Sequence, residues 1–220
     1  MPDDKTSPSR QPALRPTVPE RAAAKQSSNP GGISPDQSVY SPIARFFHWL
    51  TVAMVAAMVP MGLFMTSRAE HNIWDNLTNT LYSSHKLVGL SLLALILGRL
   101  AYRFWHGAPP DEPTLEPWQR IASHATHWTI YGLLVAVPIL GWTGISLYPA
   151  LDIFGLFKLP GLVAPNQPAA STVFFLHKIG AFALVALVAL HIAAALFHYL
   201  FRKDGVLRRM LPGLPPRAPS

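Results

Sequence analysis

Histidine is the residue type in this sequence with the most to offer chemically, since nine histidines are present and no cysteine. Two of them, His177 and His191, lie in one long apolar run and are fourteen residues apart. Fourteen residues make about four helical turns, so both imidazoles fall on one face of a helix, ~21 Å apart along its axis. Imidazole is a common ligand of iron. This spacing therefore suits two metal centres, such as two haems, stacked along one helix.

Each of these histidines needs a second axial ligand from another part of the chain. His85 begins a second apolar run at the depth of His177, and His48 lies near the start of the first run, on the side of His191. The predicted pairs are His85 with His177 and His48 with His191. The depths of His48 and His191 match less closely, which leaves His198 as a rival ligand. Two histidines on one iron leave no open position, and such a haem favours electron transfer over oxygen chemistry.

The composition excludes several other kinds of site. Without cysteine there is no disulfide, thiolate zinc site, iron–sulfur cluster or covalent c-type haem. Charged residues make up 13% of the chain, about half of the ~25% typical of soluble domains. The formal net charge of +7 would suggest a nucleic-acid partner in a soluble protein. Because half of the residues are hydrophobic, basic loops at a membrane edge are the better explanation, and we expect no nucleic-acid partner.

Four apolar runs supply the elements that would position the histidines. Each reaches the ~20 residues that a helix needs to cross the hydrocarbon core of a bilayer. Two of the runs contain a proline, Pro60 or Pro138, which membrane helices tolerate when neighbouring groups bond the freed carbonyl. The predicted fold is all-α and integral to the membrane, a bundle of four transmembrane helices holding two haems b. The runs are residues 43–65, 85–105, 121–148 and 174–201.

The ends of the chain and the basic residues predict its orientation. Residues 1–40 are rich in Pro, Ser and Ala without apolar periodicity, so they are predicted to form a disordered tail. Lys and Arg are concentrated on the side that holds both chain ends, so both termini are predicted to be cytoplasmic in a multi-pass membrane protein. An amphipathic stretch around residues 154–162 is expected on the outer surface. The basic side carries Arg45, Arg99, Arg103, Arg120, Arg202, Lys203, Arg208 and Arg209.

Three further sets of residues each have two interpretations. His124 and His127 suit a quinone site or a proton relay, and equally well a histidine satisfied within the core. Arg45, Arg99 and Arg103 would pair with haem propionates or anchor the membrane edge. Glycines near the ligands fit a flat macrocycle pressed against a helix, or close helix–helix packing. These glycines are Gly89, Gly98, Gly132, Gly141, Gly144 and Gly180.

The same residues resemble the bacterial cytochrome b561 family, which is grouped with the b-type subunits of nickel hydrogenases. The matching segments are "YSPIARFFHWL", "SSHKLVGLSLLALILGRLAYR", "HATHWTIYGLLVAVPILGW" and "FLHKIGAFALVALVALHIAAALFHYLFRKDGVLRRMLP". The resemblance covers about residues 40–212, which defines a membrane domain at 41–212 and a short tail at 213–220. It implies a location in the bacterial inner membrane and two haems b held in four helices by His48, His85, His177 and His191. It therefore favours His191 over His198.

The resemblance also implies more than one function. The family's best-understood activity is oxidation of superoxide at the outer face, with electrons passed to ubiquinone. Lys86 and Lys178 each follow an outer ligand, and they would attract such an anion or bind propionates or lipid headgroups. The alternative is a haem-b membrane anchor and electron-transfer subunit of a dehydrogenase or hydrogenase complex. Four spans favour the stand-alone protein, because hydrogenase-type subunits tend to carry an additional helix. A non-redox scaffold is the third hypothesis.

Overall fold

A computed structural model describes residues 39–211 and 213–214, and four long helices make up most of it. All four are long and apolar enough to cross a membrane, so the predicted all-α, four-span membrane fold is confirmed. Residues 1–38 of the predicted N-terminal tail and residues 215–220 of the predicted C-terminal tail lie outside the described residues. The helices are α1, Pro42–Glu70; α2, Asn76–His106; α3, Pro117–Leu147; and α4, Gln167–Phe197.

The helices begin at polar caps, several residues before the apolar runs of α2 and α4. The Asp75 side chain accepts a hydrogen bond from the Thr78 N–H at the start of α2, and Asn166 does the same for Ala169 at the start of α4. At 1.5 Å per residue the helices of 29–31 residues are ~45 Å long. The hydrocarbon core is only ~30 Å thick. The polar first turns of α2 and α4 therefore extend into the headgroup region. A search for apolar runs does not detect these turns, because their residues are polar.

The buried core is small and lies at mid-height in the bundle. Its centre is formed by Leu92 and Ile96 of α2, Tyr131 and Leu134 of α3 and Leu184 of α4. Most large apolar side chains instead point outward; Leu190, for example, is 58% exposed. Apolar surface on this scale is unusual for a soluble protein, and it is the surface that lipid tails cover.

One end of the bundle gathers the start of α1, the loop between α2 and α3 and the segment after α4. The Trp49 indole N–H donates to the Met210 carbonyl at 3.2 Å, and the Arg202 guanidinium donates to the Thr114 carbonyl at 2.8 Å. The chain passes from α4 into a π-helix over residues 198–202 and then a 3-10 turn at Leu207–Arg209. We call this the basic end, because it holds the arginines and lysines that the sequence places on one side.

The opposite end carries a small hairpin between α3 and α4, and we call it the hairpin end. Strands β1, Asp152–Ile153, and β2, Phe157–Lys158, pair antiparallel. Between them Phe154 and Gly155 have φ values of 54° and 72°. Such left-handed backbone is what a tight hairpin turn requires. The stretch predicted to be amphipathic is thus a hairpin.

The hairpin rests on α2 through its polar atoms and one apolar anchor. The Phe154 N–H donates to the Ser83 hydroxyl at 3.1 Å, and the Lys86 ammonium donates to the Ala150 carbonyl at 3.1 Å. Ile153 is fully buried, whereas Leu156 at the turn is 81% exposed. These contacts hold the loop against α2 at the hairpin end of the bundle.

Candidate functional site

The first histidine pair lies towards the hairpin end and joins α2 to α4 across the bundle. The ring centroids of His85 and His177 are 6.2 Å apart, with an interplanar angle of 76°. Both rings are partly buried. Each histidine lies about ten residues into its helix, so the two are at matching depth. The structure therefore brings the sequence-predicted outer pair together.

The second pair lies towards the basic end and joins α1 to α4. The ring centroids of His48 and His191 are 6.4 Å apart, with an interplanar angle of 69°. A third imidazole, that of His127 on α3, has its centroid 5.2 Å from that of His191. The inner pair is thus also brought together, and the close approach of His127 was not foreseen from its spacing.

The separations within the two pairs fit one iron between each pair of rings. An imidazole nitrogen binds a metal ion at about 2 Å, and the ring centroid lies roughly 1 Å behind that nitrogen, so two rings on opposite sides of one metal have centroids about 6 Å apart. The pairs at 6.2 Å and 6.4 Å meet this requirement. The His127–His191 separation of 5.2 Å is too short for it. By their ring spacing these four histidines could hold two haems, whereas His127 lies too close to His191 to replace His48.

One hydrogen bond orients His177 for metal binding. Its Nδ1 lies 2.9 Å from the carbonyl oxygen of Val137 on α3. A carbonyl only accepts, so Nδ1 carries the proton and Nε2 keeps its lone pair facing away from α3. Metal-ligating histidines commonly make this kind of outer hydrogen bond. The Nδ1 of His85 is buried and has no hydrogen-bond partner among the described residues.

Two glycines make room for the outer rings. A Cβ added to Gly141 would lie 3.1 Å from Cε1 of His177, and one added to Gly62 would lie 3.3 Å from Cε1 of His85. Both distances are shorter than ordinary carbon contacts of 3.5–4.0 Å. Gly141 was among the glycines singled out from the sequence. Gly62 was missed, because it lies in the first apolar run, far in sequence from any histidine.

The other glycines face packing side chains or open space. A Cβ at Gly144 would lie 2.6 Å from the ring of Phe174, and one at Gly180 would lie 3.0 Å from the side chain of Val137. Gly89 faces Met58, and Gly132 has nothing within 4 Å. For Gly144 and Gly180 the contacts favour the helix-packing interpretation over a macrocycle contact.

A large cavity adjoins the outer pair. It has a volume of about 1660 Å³ and is lined by all four helices and by the hairpin, with His85, His177, Gly62 and Gly141 in its wall. Small-molecule sites usually measure ~300–1,000 Å³. The space beside these imidazoles is therefore sufficient for a flat tetrapyrrole, and the fit of the residues to haem does not depend on ring spacing alone.

Arginines surround the inner pair. The guanidinium of Arg99 donates to Nδ1 of His48 at 3.1 Å and lies 5.2 Å from the centroid of the Tyr131 ring. Because Nδ1 of His48 accepts this bond, the proton of the neutral ring lies on Nε2, so His48 would have to release Arg99 to bind iron through Nε2. The Nε of Arg45 is buried, and no described residue accepts a hydrogen bond from it. A buried guanidinium N–H without a partner suits an anionic group such as a propionate. The pairing of these arginines with propionates stays a prediction. Of the three, Arg45 supports it most directly, through its buried Nε–H.

The remaining histidines have other partners. His124 Nε2 lies 3.1 Å from the Asp111 carboxylate in the loop before α3. His198 Nδ1 lies 2.5 Å from the Asp204 carboxylate, which is 3% exposed. The rival inner ligand is thus engaged by the segment that follows α4. His71 and His106 use their Nδ1 atoms on backbone carbonyls one turn earlier in their own helices.

The two lysines next to the outer ligands differ in what they contact. The Lys86 ammonium donates to the carbonyls of Ala150 and Asp152, so its role here is to hold the hairpin loop. Lys178 is exposed and lines the outer cavity. Of the two cations expected to draw an anion to this end, Lys178 is the one whose position suits that role.

Comparison with known proteins finds one family and several relatives of similar length. A family model described as prokaryotic cytochrome b561 matches residues 39–213. The chain is 32% identical over 174 residues to "Cytochrome b561 homolog 2" of Escherichia coli strain K12, covering 78% of this chain and 90% of that protein. It is 29% identical over 175 residues to "Probable superoxide oxidase CybB" of Yersinia pestis, covering 79% of this chain and 96% of that protein.

Proposed function

The chain belongs to the prokaryotic cytochrome b561 family, and we propose that it joins an electron donor at the hairpin end to the quinone pool of the bacterial inner membrane. Membership makes it a haem b-binding electron-transfer protein with several membrane spans. The donor, the acceptor, the number of haems and the direction in which the chain faces are the proposed parts.

The main support for the proposal is that two histidine pairs lie at two depths in the bundle with nearly the same distance between their ring centroids, 6.2 Å and 6.4 Å. We propose that His85 with His177 and His48 with His191 each hold one haem b by its iron. Haem b, when bound in this way, takes up and releases one electron at a time without an open coordination position. The two pairs are ~21 Å apart along α4, so together they reach from one half of the bilayer to the other.

The protein's own residues hold the imidazoles and keep water away. The Val137 carbonyl fixes the tautomer of His177, and Gly141 and Gly62 leave the rings their space. Leu184 lies midway between His177 and His191 on α4 and belongs to the buried core. The region between the two levels is therefore apolar, which favours electron movement without accompanying ions or protons.

The proposed donor is superoxide, which would arrive at the hairpin end, and the proposed acceptor is ubiquinone. Support for the donor comes from the name of the Yersinia pestis relative and from Lys178 in the wall of the outer cavity. The basic end would face the cytoplasm, since cytoplasmic loops carry an excess of Lys and Arg. Both chain termini would then be cytoplasmic.

Ligand variants measured for haem content and electron transfer test this function. His177→Ala and His191→Ala should each retain one haem per chain by pyridine haemochrome assay. His177→Ala should no longer be reduced by superoxide, whereas His191→Ala should still be reduced but should no longer be reoxidised by a short-chain ubiquinone. His71→Ala, an exposed histidine outside both pairs, is the control and should retain two haems. Two haems in either ligand variant would contradict the pairing.

Stopped-flow mixing of wild-type protein with superoxide tests the donor. The reduced α band should grow, and added ubiquinone should then remove it. A wild-type protein that superoxide leaves oxidised would contradict the proposed donor. A stoichiometric dehydrogenase or hydrogenase co-purifying from native membranes would support the alternative, an electron-transfer subunit.

A further inference from the structure

A groove between α2 and α3 opens sideways, away from the cavity of the outer pair. It has a volume of about 640 Å³, within the ~300–1,000 Å³ usual for small-molecule sites. Its walls are apolar: Leu100 and Phe104 from α2 face Trp128, Val135 and Ile139 from α3. Between residues 128 and 140 it runs ~18 Å along α3. Phe104, Trp128 and Ile139 are exposed, so in a bilayer the groove opens to lipid.

The groove has an almost wholly apolar lining, and one charged side chain adjoins it at the end nearer the basic end. There the guanidinium of Arg103 lies 5.7 Å from the centroid of the Trp128 ring and 5.9 Å from that of Tyr131. Among the described residues, no carboxylate forms an ion pair with Arg103. A molecule matching this groove has a flat ring with hydrogen-bond acceptors at one end and a long apolar tail at the other.

The polar end of the groove adjoins the inner histidine pair. Tyr131 lines the groove and lies 5.2 Å from the Arg99 guanidinium. Arg99 in turn donates to Nδ1 of His48 at 3.1 Å. A ring seated against Tyr131 and Trp128 is therefore separated from the inner ligand His48 by one aromatic side chain and one guanidinium.

We propose that this groove binds the isoprenoid quinone that accepts the electrons, with the ring against Trp128 and Tyr131, a carbonyl oxygen at Arg103 and the tail along Val135 and Ile139. The inference rests on the proposed function and adds the site of its acceptor. The quinone ring takes two electrons, supplied one at a time by the protein, and two protons from water at the basic end, which gives the quinol. No covalent bond to the protein forms.

A second copy of this chain is a poorer occupant for the groove. Stable interfaces use about 20–30 residues on each side, whereas nine residues line the groove. The experiment nevertheless includes a measurement of the oligomeric state of the variant in which the groove is filled.

Gly132 allows the groove to be filled without disturbing the fold. It lines the groove, and a Cβ there meets nothing within 4 Å. Leucine is also a better helix former than glycine. Gly132→Leu should therefore fold with its haem content unchanged and should obstruct the groove. Ala186→Leu, at an exposed position of α4 away from the groove, is the matched control.

Two measurements on the haem-loaded protein test the site. Photolabelling with an azidoquinone, mapped by mass spectrometry, should mark residues 100–104 and 128–140 in wild type and Ala186→Leu, and much less in Gly132→Leu. In reoxidation of the reduced protein by decylubiquinone, Gly132→Leu should raise the half-saturating quinone concentration at least tenfold. Arg103→Leu should raise it as well while leaving the groove open to the label.

The outcomes separate this inference from the proposed function. Equal labelling and equal half-saturation in Gly132→Leu and wild type would overturn the groove as the quinone site, and so would a shift of oligomeric state in that variant alone. Wild-type protein that ferricyanide reoxidises but decylubiquinone does not would overturn the acceptor in the proposed function itself.

Discussion

Replacement of Gly141 by alanine should weaken the binding of the haem that we propose between His85 and His177, without removing either histidine. The new Cβ would lie 3.1 Å from Cε1 and 3.2 Å from Nδ1 of His177. Carbon contacts settle at about 3.5–4.0 Å, so the ring must shift by a few tenths of an ångström. The Nδ1 of His177 also donates, at 2.9 Å, to the carbonyl of Val137, which lies on α3 one turn before Gly141. The shift therefore lengthens this hydrogen bond.

The size of the effect follows from that hydrogen bond. A typical hydrogen bond contributes about 0.5–1.5 kcal/mol net, and about 1.4 kcal/mol corresponds to a factor of ten in an equilibrium constant. Gly141→Ala should then release the outer haem about two- to thirteen-fold more readily. Since alanine also stabilises a helix by roughly 0.5–1 kcal/mol relative to glycine, the control must contain the same replacement.

Transfer of haem to excess apomyoglobin measures this release. Gly132→Ala is the matched control, because it lies in the same helix and its added Cβ meets nothing within 4 Å. In Gly141→Ala one of two haems should transfer faster, while in Gly132→Ala both should transfer as in wild type. Identical transfer in the two variants would show that Gly141 does not confine the His177 ring.

Two further predictions concern the hairpin end. Lys86→Met removes the ammonium that donates to two loop carbonyls, which should cost about 1–2 kcal/mol and lower the melting temperature by about 2–8 °C. An unchanged melting temperature would show that these hydrogen bonds do not stabilise the loop. Asp75 accepts from the Thr78 N–H and from Arg68, and these bonds lower its pKa to about 2 from 3.8. The stabilisation by this carboxylate is complete above about pH 4 and is lost as the pH falls towards 2. The melting-temperature difference between wild type and Asp75→Asn should therefore shrink over that range, and a difference independent of pH would contradict this role.

The number and type of helices could be predicted from the sequence because a bilayer imposes a minimum length on each apolar run. The helix starts could not. Asn76 and Gln167 begin polar turns that stand outside the hydrocarbon, where water and headgroups satisfy the backbone and no hydropathy signal is needed. Side-chain caps at Asp75 and Asn166 were readable signals for these starts.

The proximity of His177 to His85 was predictable from their matching depths in two apolar runs. For His48 the depths matched less closely, and the residues alone left His198 as a rival to His191. The approach of His127 to His191 was not predictable, because it depends on how far α3 is rotated about its axis relative to α4. The same holds for Gly62, whose importance arises from a neighbour on another helix. The engagement of His198 by Asp204 depends on the chain turning back after α4 through a π-helix.

The distribution of the four histidines among the helices has a consequence for how the protein is made. α1 and α2 contribute one histidine each, to different pairs, whereas α4 contributes the second member of both. Chains are synthesised from the N-terminus at roughly 5–20 residues per second, and α4 comes last. Because neither proposed site is complete before α4 is made, we expect haem capture to be a late step of biogenesis. A nascent chain stalled ahead of Gln167 would hold half of each proposed site, and we expect it to retain no haem.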